Sequence, residues 1–104
     1  MDIHVNTDHH IHGHLEQAQE IKVVIEGALR RFAAQITRVD VHITDENANK
    51  GGAADKKCVI ELRLSGLAPV VGTHHAPSAK LAVDGAVEKA KRAADSLLGR
   101  LHDR

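Results

Sequence analysis

The chain has 104 residues and no net charge, because 14 lysines and arginines balance 14 aspartates and glutamates. Apolar residues make up 42% of it, and it has one Phe, no Tyr or Trp, and one cysteine. This length suits a single domain with an aliphatic core, and one cysteine excludes an internal disulfide or a cysteine-based zinc cluster. The N-terminus has no signal-peptide pattern, and no apolar run approaches the roughly 20 residues of a membrane span. We therefore expect a cytoplasmic protein.

The first part of the chain predicts a strand, a helix and a second strand. Residues 1–6 alternate apolar and polar side chains, which indicates a half-buried strand. From Leu15 to about Ala34, apolar residues recur every three or four positions, as in an amphipathic helix. Residues 36–44 alternate again. The residues predicted to be buried in this second strand are Val39, Val41 and Ile43.

The second part predicts two more strands and a long helix. Residues 45–56 are polar and rich in Asn and Gly, which indicates a mobile hairpin loop. Residues 57–64 and 70–76 follow as strands, and Ser78 has the residue type of an N-cap for a helix that runs to about Leu101. The order β-α-β-β-β-α predicts one α+β domain, spanning residues 1–104, with a four-stranded sheet. Both helices should cover one face of that sheet and leave the other to solvent.

Histidine is the most unusual component of the composition. Nine are present, including a pair in the predicted fourth strand and a cluster formed by His9, His10, His12 and His14. Imidazole is a common zinc ligand, but a stable site needs ligands on a rigid frame. The cluster lies in a predicted loop with irregular spacing, which favours a polar loop over a metal site. A metal- or pH-sensing function remains open, because imidazoles gain charge as the pH falls through about 6.5.

The sequence gives little support for catalysis. It contains no nucleophile elbow, no glycine-rich phosphate loop and no His-Glu-x-x-His helix. Cys58 alternates with apolar positions of the third strand, so we expect a buried and unreactive thiol. The sequence therefore predicts neither an enzyme nor a cofactor-binding protein.

Basic residues on the two helices are the strongest candidates for a binding surface. Several of them recur three or four positions apart on the second helix, away from its apolar seam. With no Trp or Tyr, the chain lacks the aromatic side chains on which proteins stack the bases of single-stranded nucleic acids. Any RNA contacts should therefore reach phosphates and the shape of folded RNA. The candidate rRNA-binding residues are Lys22, Arg30, Arg31, Lys89, Lys91, Arg92 and Arg100.

Three features in register carry a resemblance to a known family. They are the element order, the segment Arg30-Arg31-Phe32 leading into residues 36–43, and the run from Ala82 to Arg92. Over nearly its whole length the chain resembles the short form of the ribosome hibernation promoting factors, also called ribosome-associated inhibitor A or sigma-54 modulation proteins. This resemblance implies a double-stranded-RNA-binding-like fold. It also implies a translation inhibitor that binds the small ribosomal subunit where messenger and transfer RNA sit.

The same resemblance implies that basic residues on both helices contact rRNA, with Arg30, Lys89 and Arg92 at matching positions. Val23, Val24 and Gly27 stand where relatives often carry further basic residues. The C-terminal domain with which long members pair ribosomes has no counterpart, so we expect a monomer when the protein is free. One alternative on the same fold is the histidine-based metal or pH sensor. The other is a protein-binding module without ribosome affinity.

The irregular spacing of the histidine cluster predicts that the purified protein carries no stoichiometric metal. Elemental analysis should find far less than one zinc per chain. About one zinc per chain that is lost in the His9→Ala/His12→Ala variant would contradict this expectation.

Overall fold

The computed structural model describes residues 1–8, 14–46 and 56–102. The elements follow the predicted order and confirm the α+β fold. They are β1 (Asp2–Thr7), α1 (His14–Ala28), a 3₁₀ turn (Arg30–Phe32), β2 (Ile36–Asp45), β3 (Lys56–Leu64), β4 (Val70–Ala76) and α2 (Ala79–His102). In the predicted mobile loop, Asp45 belongs to β2, Glu46 to a turn and Lys56 to β3, while residues 47–55 lie outside the described residues.

The sheet has the strand order β1-β2-β3-β4, so β1 and β4 form its edges. β1 pairs in parallel with β2, while β3 pairs antiparallel with both β2 and β4. A parallel pair needs a crossover connection, and α1 supplies it. Register places Val41 between Val5 and Ile60, so the apolar residues of neighbouring strands lie side by side on one face.

The core lies between that apolar face and the two helices. α1 contributes Ile21 and Ile25, Leu29 follows directly after the helix, and Phe32 comes from the 3₁₀ turn. α2 buries mostly small residues, Ala82, Val83, Ala86, Val87, Ala90 and Ala94. A helix with small buried side chains can approach a sheet more closely than one with Leu or Ile. α2 also begins as predicted, because the Leu81 N–H donates to Ser78 Oγ at 3.2 Å.

The end of the first helix differs from the prediction. The apolar period continued to about Ala34, but α1 ends at Ala28 and a separate 3₁₀ turn follows. The Phe32 N–H donates to the Leu29 carbonyl at 2.9 Å, a three-residue step in place of the four-residue step of an α-helix. Gly27 weakens the last α-helical turn. The tighter turn directs Phe32 into the core and the chain into β2.

Two glycines permit the close contact between α2 and β4. A Cβ atom on Gly72 would overlap the backbone of Ala86 and Ala90 in α2. A Cβ atom on Gly85 would overlap the ring of His74 in β4. Residues with side chains at these positions would push α2 away from the sheet.

We expect Gly72→Ala to lower the free energy of unfolding by about 1–3 kcal/mol, as for other overpacked positions. Gly99→Ala is the matched control, because Gly99 lies on α2 with open space around it. That variant should be neutral or more stable by up to about 1 kcal/mol, since alanine is the better helix former. Urea unfolding followed by circular dichroism measures both, and equal stability of Gly72→Ala and the wild type would contradict the packing described.

Candidate nucleic-acid interface

The charged residues of α2 are separated around the helix axis. With 3.6 residues per turn, Lys89, Arg92, Ser96 and Arg100 fall within about 80° of each other. We call these four residues the basic flank. The acidic residues of the same helix are centred about 100° away from it. They are Asp84, Glu88 and Asp95.

The basic flank overlooks the outer edge of the sheet. Lys89 Nζ donates to the backbone carbonyl of Thr73 at 3.0 Å, and Thr73 belongs to the edge strand β4. The other side of α2 faces α1, because Val83 and Asp84 line a small groove together with Val24 of α1. The hydrogen bond fixes the lysine amine at the sheet edge and uses one of its three donors.

Arg92 and Arg100 are the least restrained cations of the basic flank. Both side chains are exposed. Neither makes a hydrogen bond or an ion pair with another described residue. A guanidinium group presents a planar fork of donors that matches two oxygens of one phosphate. These two arginines can therefore bind an anion without first breaking a contact with another described residue.

Two other candidate residues are paired with acidic groups. Arg31, in the 3₁₀ turn, forms an ion pair with Asp95 of α2, and its guanidinium lies 4.6 Å from the centre of the Phe32 ring. Lys91 Nζ lies 3.4 Å from Glu88 Oε1 on the same helix. The pair between Arg31 and Asp95 brings the end of the first helical segment against α2.

The remaining candidates lie apart from the basic flank. Lys22 is half-buried and stands about 160° around α1 from Val24, the residue that faces α2. It therefore occupies the opposite side of the two-helix layer. Arg30 lines a shallow depression beyond α1 with Met1, Val23, Glu26, Gly27 and Ala33. The structure thus joins Arg31 to α2 but leaves Lys22 and Arg30 on a separate surface.

The uncovered face of the sheet pairs its arginines with acids. Arg38 Nε donates to both carboxylate oxygens of Asp40, at 3.1 and 3.0 Å. This hydrogen bond lowers the pKa of Asp40 and raises the pKa of Arg38. Arg63 Nη2 lies 3.3 Å from Glu61 Oε1 on the same face. This network went unnoticed in the sequence, although the alternation of Arg38 and Asp40 along β2 was a signal for it.

Other chemistries find little structural basis in the described residues. No group of three or more His, Cys, Asp or Glu in them is placed to hold a metal ion. His75 Nε2 contacts Glu46 Oε1 at 2.8 Å, while His9, His10 and His12 lie outside the described residues.

The cysteine of β3 is buried as predicted. Burial raises the pKa of the Cys58 thiol to about 12, which keeps it protonated and unreactive at neutral pH. Among the helices described, none has the length and apolar character required to cross a membrane.

Comparison with known proteins identifies a family. A model of the sigma 54 modulation protein / S30EA ribosomal protein family matches residues 4–102, which include nearly all of the described elements. The search of curated proteins found no match. The family match confirms the resemblance inferred from the sequence and covers the whole basic flank.

The lowered pKa of Asp40 predicts a pH-dependent contribution to stability. The carboxylate stabilises the folded state above its unfolded pKa, near 3.8, and this contribution disappears as the pH falls through the lower folded value. Asp40→Asn should therefore reduce stability at pH 7 by up to about 1 kcal/mol, and by progressively less as the pH falls below that unfolded value. Urea unfolding of both proteins at pH 7 and at a pH below 3.8 measures the difference. Equal losses at both pH values would contradict the assignment.

Proposed function

The chain belongs to the sigma 54 modulation protein / S30EA ribosomal protein family, a family of ribosome-associated proteins, and we propose that it inhibits translation by binding the small subunit. In this proposal the protein acts in the cytoplasm on idle ribosomes and occupies the channel for messenger and transfer RNA. It contacts rRNA through basic residues of α2 and of the segment that ends the first helix. The observation that carries the proposal is the basic flank, whose two arginines have no partner among the described residues.

The geometry of the basic flank suits a folded RNA surface. Arg92 and Arg100 stand about 12 Å apart along α2, so each can hold a different phosphate. Lys89 adds a third cation, one whose position is fixed by the Thr73 carbonyl. Phosphate contacts set position and orientation and carry no sequence information. A protein that recognises one place on a large folded RNA needs contacts of this kind.

The zero net charge of the chain is compatible with this function. The arginines of the open sheet face, Arg38 and Arg63, are paired with acidic neighbours. The acidic residues of α2 are centred about 100° around the helix axis from the basic flank. The unpaired cations of α2 are therefore grouped on the basic flank, beside the edge strand β4.

We also propose that the free protein is monomeric. β4 is an edge strand, and an unprotected edge can pair with another copy. The Lys89 amine is bound to the Thr73 carbonyl on that edge. A lysine at a strand edge disfavours pairing between copies, because pairing would bury its charged amine.

Neutral substitution of the two unpartnered arginines tests the proposed function. Arg92→Gln and Arg100→Gln should each weaken binding to purified small subunits by roughly tenfold at about 0.1 M salt. Each should also reduce the slope of log K against log salt by about 0.7–0.9, the value for one lost phosphate contact. Fluorescence anisotropy over a salt series, with a labelled protein, measures both quantities.

Lys57→Gln is the charge-matched control. Lys57 belongs to β3, and its neighbour across the β2 pair is Thr44, whose side chain is exposed on the sheet face away from the helices. This variant should bind like the wild type. If the doubly substituted Arg92→Gln/Arg100→Gln protein folds normally and keeps wild-type affinity and salt slope, the basic flank is only a solvated helix face.

A further inference from the structure

Asp95 is placed among several of the candidate RNA-binding residues. Its carboxylate forms the ion pair with the guanidinium of Arg31. Lys91 and Arg92 stand four and three residues before it on α2, which makes them its neighbours on the helix surface. One acidic group therefore lies where a bound phosphate would meet three cationic side chains.

The ion pair of Asp95 is well suited to exchange. The side chain of Arg31 is 60% exposed and that of Asp95 is 50% exposed. Exposed ion pairs contribute little to stability, because water screens the charges and both side chains lose freedom. Arg31 is also held by the ring of Phe32, a buried residue, so its position does not depend on Asp95 alone.

A phosphate group would compete for the same guanidinium. It is anionic, and two of its oxygens can accept parallel hydrogen bonds from an arginine. To make this contact, the RNA must displace the Asp95 carboxylate. The displaced carboxylate then remains near the bound phosphate and repels it.

We infer that Asp95 takes the place of an RNA phosphate in the free protein and thereby limits RNA affinity. The inference rests on the proposed function and concerns the regulation of the same surface. Asp95 keeps Arg31 neutralised until RNA arrives, so binding gains less from this arginine than from an unpartnered one. An inhibitor with such an internal competitor binds RNA less tightly at low salt, and its affinity falls less steeply as the salt concentration rises.

Asp95→Asn tests this inference, because it removes the charge and keeps the side-chain shape. The probes are purified small subunits and a labelled RNA hairpin with an A-form stem. The variant should bind both about 3- to 10-fold more tightly than the wild type at low salt. Its slope of log K against log salt should be steeper by about 0.7–0.9, because Arg31 now contributes a full phosphate contact.

Asp84→Asn is the matched control on the same helix. It changes the net charge by the same amount, but Asp84 lines the groove toward α1 and has no ion pair among the described residues. Its affinity should stay within about twofold of the wild type, as for a distant charge screened by salt.

A double-mutant cycle separates the local competition from a general charge effect. The gain from Asp95→Asn should vanish when Arg31→Gln is already present, because no guanidinium remains to be released. A gain that persists in the Arg31→Gln background overturns the inference, as does an Asp95→Asn variant that binds like the wild type or more weakly. In each of these cases wild-type binding to small subunits is intact, so the proposed function survives. Absence of binding by the wild type and all variants would remove both.

Discussion

The close approach of α2 to β4 is the constraint on which the other features depend. Gly72 and Gly85 leave no atom where the strand and the helix would otherwise collide. The small buried residues of α2 extend this contact along the helix. Because α2 packs closely against the edge strand β4, the amine of Lys89 can reach the backbone carbonyl of Thr73. Arg92 and Arg100, on the same flank of α2, are exposed to solvent.

The position of α2 on the sheet also determines where its acidic and basic residues lie. The side of α2 that faces α1 carries the acidic residues, and there Asp95 meets Arg31 from the 3₁₀ turn. On the open face of the sheet, arginines and carboxylates neutralise each other, and the lowered pKa of Asp40 is the clearest sign of it. Among the described residues of a chain with no net charge, the basic flank thus groups several cations on one side of α2. That surface suits an RNA partner that is held by its phosphates.

The strands were predictable from the sequence, because burial of one sheet face imposes a strict alternation that three or four residues suffice to reveal. The fourth strand was predicted with the bounds it has, Val70–Ala76. The end of α1 was not, because the step from Leu29 to Phe32 fits both an α-helix and a 3₁₀ turn. The apolar period remained in phase while the backbone geometry changed.

The candidate surface was predictable only in part. Periodicity identifies the buried side of each helix, but it does not say which flank faces the neighbouring helix. The separation of Lys22 from the basic flank depends on that choice. The contact between Arg31 and Asp95 joins residues 64 positions apart and depends on tertiary structure alone. No local pattern could have shown that Arg31 is neutralised by an acidic residue of α2.

Directed hydroxyl-radical probing of rRNA tests the central claim most directly. Cys58 is buried and its thiol is protonated, so an iron chelate can be tethered selectively to a cysteine introduced at Ser96, on the basic flank. Bound to small subunits, this protein should cleave rRNA that lines the channel for messenger and transfer RNA. A chelate attached to the Thr44→Cys variant, on the open sheet face, should cleave the same rRNA segments much less. Equal cleavage from both positions, or no cleavage in the channel from Ser96→Cys, would contradict binding through α2.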